Sequence, residues 1–230
     1  MDIVSLKSDL EEAVASNQPI AASQVASGDI HDFQITNIKQ AVKNENRVNI
    51  FVNGKYDFSL DLSQLVDFKI KVGQKITEQD LKKYHKASTY GKLYQRTLEW
   101  ILMRPRSVKE TRDYLFKKHA EKEDTEKILE TLTAKSYLDD EKFAAFYVEN
   151  RFVKKGISAM RLKKELQQKG ISLEIIETVL TSTSRTDETE IKKIIAKKRR
   201  QYADDDKLIA YLTRQGFSYQ LSKALVLETD

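Results

Sequence analysis

Residues 148–180 repeat in residues 194–226 at a constant offset of 46, and this periodicity constrains the fold more than any other feature. Val148 falls on Ile194, Leu162 on Leu208, Leu166 on Leu212, Gly170 on Gly216, Ile171 on Phe217 and Ser172 on Ser218. Ile175, Val179 and Leu180 fall on Leu221, Leu225 and Val226. Only 7 glycines occur in 230 residues, so a matched glycine followed two positions later by a matched serine is informative. A third copy lies upstream. Leu115 matches Leu166 at an offset of 51, and Ile128 and Leu132 match Ile175 and Val179 at 47. The first copy therefore holds about four extra residues around Glu121. A period of this length signals stacked supersecondary units.

Each copy carries the marks of three helices. Ser107, Ser158 and Asp204 occupy one repeat position before an amphipathic run, with Glu110 three residues after Ser107. Thr125, Ser172 and Ser218 occupy a second such position. Side-chain oxygens there accept hydrogen bonds from free first-turn N–H groups. Gly170 and Gly216 stand where the preceding helix must end in a left-handed residue. One unit has little core of its own, so neighbours are expected to share apolar faces. The expected fold is mainly α: three tandem three-helix units in an elongated curved array, with a small N-terminal β-hairpin-containing domain. The boundaries read from the sequence are 1–30, a flexible or weakly helical segment in which Leu6, Leu10 and Val14 permit a short helix; 31–88, a small β-rich domain with a C-terminal helix; and helical units at 89–136, 137–182 and 183–230.

The β-rich assignment rests on alternation. Val48, Ile50 and Val52 alternate, Asn53-Gly54 follows, and Tyr56, Phe58 and Leu60 resume the pattern. Asn-Gly between two alternating runs marks a tight hairpin, because both turn residues need positive φ. Phe33, Ile35 and Ile38 suggest a further strand, Leu62 to Phe68 a helical turn, and Thr77 with Asp80 a helix N-terminus.

Charge narrows the function. Lys and Arg number 40 against 35 Asp and Glu, a net +5. Residues 1–88 hold 11 basic and 12 acidic side chains, whereas residues 151–202 hold 14 and 6. The positive excess is thus an electrostatic footprint on the helical half, suited to a polyanion. The net-acidic N-terminal portion is not expected to attach DNA directly; a second partner contact, or packing against the first helical unit, is expected instead. Cysteine is absent, which excludes disulfides, thiolate zinc sites and a cysteine nucleophile. His31, His85 and His119 fall in different elements, and no phosphate-binding glycine loop exists. No enzyme, metal or cofactor is expected. Asp2 and Asp9 interrupt any leader-like start, and no apolar run approaches membrane-spanning length, so a cytoplasmic protein is expected.

The run Tyr137-Leu138-Asp139-Asp140-Glu141-Lys142-Phe143-Ala144 continues through Tyr147 and Arg151 to Gly156-Ile157-Ser158. Arg161-Leu162-Lys163-Lys164-Glu165-Leu166-Gln167-Gln168-Lys169-Gly170-Ile171 follows. Together these closely resemble the central signature of the RecX family, bacterial modulators of the RecA recombinase. The resemblance covers roughly residues 90–230, and the N-terminal portion is similar to the longer Gram-positive members. It implies a non-enzymatic protein lying in the groove of the RecA–DNA filament and inhibiting strand exchange, ATP hydrolysis and co-protease activity. The implied partners are the RecA filament and single-stranded, with possible double-stranded, DNA; a monomer is expected.

Candidate contact residues follow from the repeat register. Tyr147, Arg151 and Lys154 lie at i, i+4 and i+7, and the equivalent positions one repeat later are Lys193, Lys197 and Arg200. Lys155, Arg161, Lys163, Lys164 and Lys169 add charge nearby, and Arg104 and Arg106 flank Pro105 in the first unit. Such cations neutralise phosphates or acidic protein patches; the alternative is a solvated helix face. Tyr147 and Tyr202 are expected to pack between helices, with base stacking as the alternative. Trp100 is expected in the core, or else as an interface anchor. Asp139-Asp140-Glu141 and Asp204-Asp205-Asp206 precede helices and are expected to cap them rather than bind a cation.

Overall fold

Alternating apolar residues from Phe33 onward form three antiparallel strands, β1 (Phe33–Ala41), β2 (Asn44–Val52) and β3 (Lys55–Asp61). The structure is a computed structural model that describes residues 33–42, 44–152 and 156–228. The short helix expected around Leu6–Val14 lies outside them. Asn53 and Gly54 turn the β2–β3 hairpin with φ of 50° and 80°, as their residue types require. A two-residue strand, β4 (Lys75–Ile76), completes the sheet in the order β3-β2-β1-β4. Nothing in the sequence pattern marks β4, because two residues cannot alternate visibly. Asp61 caps the short helix α1 (Leu62–Asp67) in a capping box with Gln64. Ile35, Val48, Ile50, Phe58, Leu60 and Ile76 are buried on one side of the sheet.

Helix α2 (Glu78–Leu102) starts where Thr77 and Asp80 exchange cap hydrogen bonds. It runs unbroken for 25 residues through Gly91. This glycine is no stop signal, because a Cβ there would lie 3.0–3.1 Å from Gln64 and Arg47. The described residues divide into two compact units, one up to Gln95 and one from Arg96 onward, with the division inside α2.

The second unit continues through α3 (Val108–Lys117), α4 (Lys122–Ala134), α5 (Asp140–Phe152), α6 (Ala159–Gln168) and α7 (Leu173–Ser182). It ends with α8 (Asp187–Lys198), α9 (Asp205–Arg214) and α10 (Tyr219–Leu227). The mainly α fold with a small N-terminal antiparallel sheet agrees with the sequence reading. Gly170 and Gly216 take φ of 84° and 92° after α6 and α9. In the first copy, His119 takes the equivalent place with φ 57°, so a non-glycine residue accepts the left-handed turn there. Ser107, Ser158, Ser172 and Asp204 cap as expected. Thr125 and Ser218 do not. The four extra residues let α4 start a turn earlier, so Thr125 is buried inside it, and Ser218 makes no side-chain cap bond.

Between the second and third modules the expectation of shared apolar faces is corrected. α5–α7 enclose a core of Phe143, Val148, Leu162, Leu166 and Ile176. α8–α10 enclose a separate one of Ile191, Ile195, Leu208, Leu212 and Val226. Polar caps link consecutive three-helix modules, and Gly156 lies against Ile194 across the second joint. Ser107 Oγ accepts from Glu110 N–H on its own helix and donates to the Lys169 carbonyl ending α6, at 2.8 Å. One repeat later, Ser158 Oγ accepts from Arg161 N–H and donates to the Gln215 carbonyl ending α9, at 2.9 Å. Each hydroxyl thus satisfies two helix ends in different modules, and both serines are fully buried.

A carboxylate completes each joint. Asp140 accepts from Val108 N–H at 2.9 Å, and Asp187 accepts from Ala159 N–H at 2.8 Å. The acid opening one module therefore caps the middle helix of the module before it. This refines the capping expectation for Asp139-Asp140-Glu141, since only Asp139 accepts from its own helix, from Glu141 and Lys142 N–H. In the last copy Asp204 replaces the serine. A carboxylate accepts but cannot donate, so this copy lacks the linking hydroxyl.

Burial pushes the Asp140 carboxyl above its ordinary range, against the hydrogen bond from Val108. A raised folded-state pKa means that this group's contribution is fully present at low pH and is lost as pH rises through that value. Asp140→Asn keeps the acceptor oxygen without the buried charge. It should match or exceed the parent at pH 7 in chemical denaturation and lose that advantage near pH 4. Asp140→Ala should cost about 1–2 kcal/mol at either pH.

Candidate functional site

The basic positions sort by their carboxylate partners. On α6, Glu165 gathers two of them and a tyrosine. It accepts from Tyr147 Oη at 2.8 Å and from Arg151 Nε and Nη2 at 2.9 and 3.1 Å. Arg161 Nε lies 3.5 Å away, and the same guanidinium donates to Gln215 Oε1. The repeat spacing does place Tyr147 and Arg151 on one face of α5, but that face meets α6. The Arg151 hydrogen bonds, chief among the influences, hold Glu165 below the usual carboxylate range. Burial, reinforced by Glu165, raises the Tyr147 hydroxyl pKa.

A second carboxylate, Glu110 on α3, receives Lys169 at 2.6 Å from the next module and Arg104 at 3.3 Å. Burial is the largest single influence on Glu110 and favours its protonation. The two cations together outweigh it and leave the pKa lowered. Lys163 pairs with Glu177 at 3.1 Å. Its counterpart one copy earlier, Arg112, pairs with Glu126, again from the middle helix of a module to its last helix. Lys193 pairs with the buried Glu190 at 2.8 Å.

Arg106 is held by rings. Its guanidinium lies 3.9 Å from the Trp100 centroid, and Trp100 stacks on Tyr114 at 4.4 Å and 10°. Lys118 lies 5.5 Å from the Tyr114 centroid. Trp100 is thus half-buried within a cation–aromatic stack, neither fully core nor a bare anchor. Tyr202 packs on the last core, tilted against Tyr211 at 5.3 Å.

Three candidates remain exposed with no carboxylate partner among the described residues: Lys164, Lys197 and Arg200. The reason for Lys197 lies in the repeat. It corresponds to Arg151, but the position of Glu165 is occupied there by Tyr211, so the anion that holds Arg151 is missing. Arg200 lies in the turn after α8. Lys154 and Lys155 lie outside the described residues.

Sequence reasoning missed Glu165, Glu110 and Gln215 because it scored cations and not their partners. One signal was available: a basic residue and a glutamate 14 positions apart recur at Arg112–Glu126, Arg151–Glu165 and Lys163–Glu177. Among the described residues no three His, Asp or Glu side chains gather as a metal-ligand set, and no helix is long and apolar enough to cross a membrane.

Two family models match the chain: the regulatory protein RecX N-terminal domain over residues 33–77, and the RecX second three-helix domain over residues 139–180. The chain is 35% identical to the regulatory protein RecX of Bacillus licheniformis over 203 residues, 85% of this chain and 77% of that one. It is 32% identical to that of Bacillus subtilis over 197 residues, 83% and 75% of the two chains. A crystal structure of regulatory protein RecX superimposes with a TM-score of 0.70 at 27% identity, covering 84% of this chain and 98% of that one. The structure of RecX from Lactobacillus salivarius shares the fold, with a TM-score of 0.54 at 22% identity over 60% of this chain and 95% of that one.

Proposed function

This chain belongs to the RecX family of regulatory proteins, and on that premise we propose that it is a non-enzymatic regulator of the RecA–DNA filament. It occupies the filament groove and inhibits the recombinase, ATPase and co-protease activities, modulating recombination and the SOS response. The supporting observation is the polar joint repeated between consecutive modules, which holds a series of surfaces at a regular chain interval. A regular series suits a polymer whose subunits also recur, and weak contacts along it add through multivalency. The mechanism is steric exclusion of incoming duplex and of cleavable repressors. The cytoplasm is the compartment where such a filament forms.

Attachment through cations is assigned first to Lys164, Lys197 and Arg200, which have no carboxylate to leave among the described residues. Arg104, Arg151, Arg161, Lys163, Lys169 and Lys193 are already neutralised inside the chain and contribute less. Arg106 contributes through whatever guanidinium edge its stack leaves open, and Tyr147 through the orientation of Arg151. Lys154 and Lys155 extend the set by sequence position.

The test is anisotropy on labelled single-stranded DNA, with and without RecA and a nonhydrolysable ATP analogue, across a salt series. Tighter binding to the assembled filament is expected. The triple reversal Lys164→Glu, Lys197→Glu, Arg200→Glu should weaken it at least tenfold with unchanged helicity. Arg151 is avoided in this variant, because reversal there would set a second carboxylate against Glu165. Equal binding with and without RecA, with a steep salt slope, would favour a general DNA-binding array acting without RecA. The last helix of the central module, α7, argues against groove reading of duplex DNA, since it carries Glu174 and Glu177 and no Lys or Arg.

A further inference from the structure

On the side of the N-terminal sheet opposite its core, two aromatic rings stand next to each other. Phe51 on β2 is registered against Tyr56 on β3, with centroids 6.1 Å apart and planes at 79°. Tyr56 is 52% exposed. Lys39 on β1 extends its ammonium to 5.5 Å from the Phe51 centroid. Asn37, paired with Phe51, and Asn49, paired with Lys39, continue the same face with amide groups. The core of this unit does not use these rings, whose neighbours Ile50, Val52 and Phe58 point to the buried side.

The backbone beneath the rings is tightly held. A register shift between Ile50 and Phe51 brings Phe51 opposite Tyr56 instead of Asp57; bulges commonly re-aim side chains in this way. Thr36 Oγ1 donates to the Phe51 carbonyl at 3.1 Å and accepts from Gly54 N–H at 2.9 Å. Asn53 Oδ1 accepts from Gln34 N–H at 2.9 Å. β1 thus fastens the hairpin turn, and the two rings are presented with little conformational freedom left to lose.

The folded N-terminal residues carry a net positive charge. The N-terminal portion reads as acidic only because six of its 12 acids precede Phe33; residues 33–88 hold ten Lys and Arg against six Asp and Glu. The net acidity of residues 1–88 is therefore not a property of residues 33–88, and the folded sheet is not barred by charge from contact with nucleic acid.

We propose that Phe51, Tyr56 and Lys39 form a stacking platform for the bases of single-stranded nucleic acid. Bases stack on sheet-borne aromatic rings independently of sequence, because every base has a π-face. Lys39 leaves the Phe51 ring for a phosphate as a base takes its place, and Asn37 and Asn49 offer hydrogen bonds to base edges. The platform is independent of the regulatory reading of the helical modules.

The test uses the full chain without any recombinase. A labelled thymidine oligonucleotide is compared with an abasic oligonucleotide of equal length, which keeps the phosphates and removes the bases. Phe51→Ala and Tyr56→Ala should each weaken binding to the first about tenfold and leave binding to the second unchanged. Tyr56→Phe should retain parent affinity, and far-UV circular dichroism should report an intact fold for all three. Parent-like binding of both alanine variants to both oligonucleotides would overturn the platform. In a second arm on the RecA–DNA filament, weakening that appears there and is absent on the free thymidine oligonucleotide would overturn it too, in favour of a protein-contact face. Failure of the triple charge reversal on the helical modules would leave this result unaffected, so the two readings fail separately.

Discussion

Ser158→Ala is expected to lower stability by about 2–3 kcal/mol, several times the effect of an ordinary exposed serine. The hydroxyl is fully buried and serves two helix ends. Its loss removes the α6 cap and leaves the Gln215 carbonyl without its donor. Losing a cap costs about 1 kcal/mol, and an unsatisfied buried acceptor about 1–3 kcal/mol. Urea denaturation measures the sum. Gly216→Ala attacks the same joint from the other side: a Cβ there would lie 2.6 Å from Ser158 Oγ, on a backbone at φ +92°. The left-handed backbone alone costs about 1–2 kcal/mol. Because Ser158→Ala vacates the space that the new methyl group needs, the double variant should cost less than the two singles added. Strict additivity, or a Ser158→Ala effect below about 0.5 kcal/mol, would show that the modules are held by something other than this hydroxyl.

Glu165→Gln should move two measurements in opposite directions. Stability should fall by about 1–2 kcal/mol, a discounted figure because Arg151 and Arg161 are partly open to solvent. Affinity for a polyanion should rise several-fold at low salt, because two guanidinium groups lose their internal anion. Glu165 has a lowered folded-state pKa, so its contribution is present above the unfolded value near about 4.3 and is lost as pH falls through the folded value. The parent should therefore lose more stability than the variant on acidification from pH 6 to pH 3. A variant that loses both stability and polyanion affinity would mean that Glu165 aims the arginines at the partner rather than masking them.

Much of the scaffold was legible because its signals are local. The Asn53-Gly54 turn, the Thr77–Asp80 helix start and the Gly170 and Gly216 stops each depend on what a few adjacent residues can do with φ, N–H and C=O groups. Candidate contact residues were less legible. Arg151 and Lys197 look alike in the repeat register, yet one is held by Glu165 and the other, whose copy has Tyr211 at the glutamate's position, stays exposed. The difference lies on another helix, where a single-helix reading does not look. Thr125 failed as a cap for a related reason: the extra residues near Glu121 allow an earlier helix start, and no local preference of threonine can override that.

The sequence by itself determined the period, the number of helical modules, the hairpin and the sign of the charge, since each is a property of residue order and type. Tertiary structure alone decided which charges remain free and how one module joins the next. Ser158 and Asp187 are plain helix-start residues until folding brings the Gln215 carbonyl and the Ala159 N–H to them. Hydrogen-bond partners 28 to 62 residues apart in the chain are set by packing, and packing depends on every module at once.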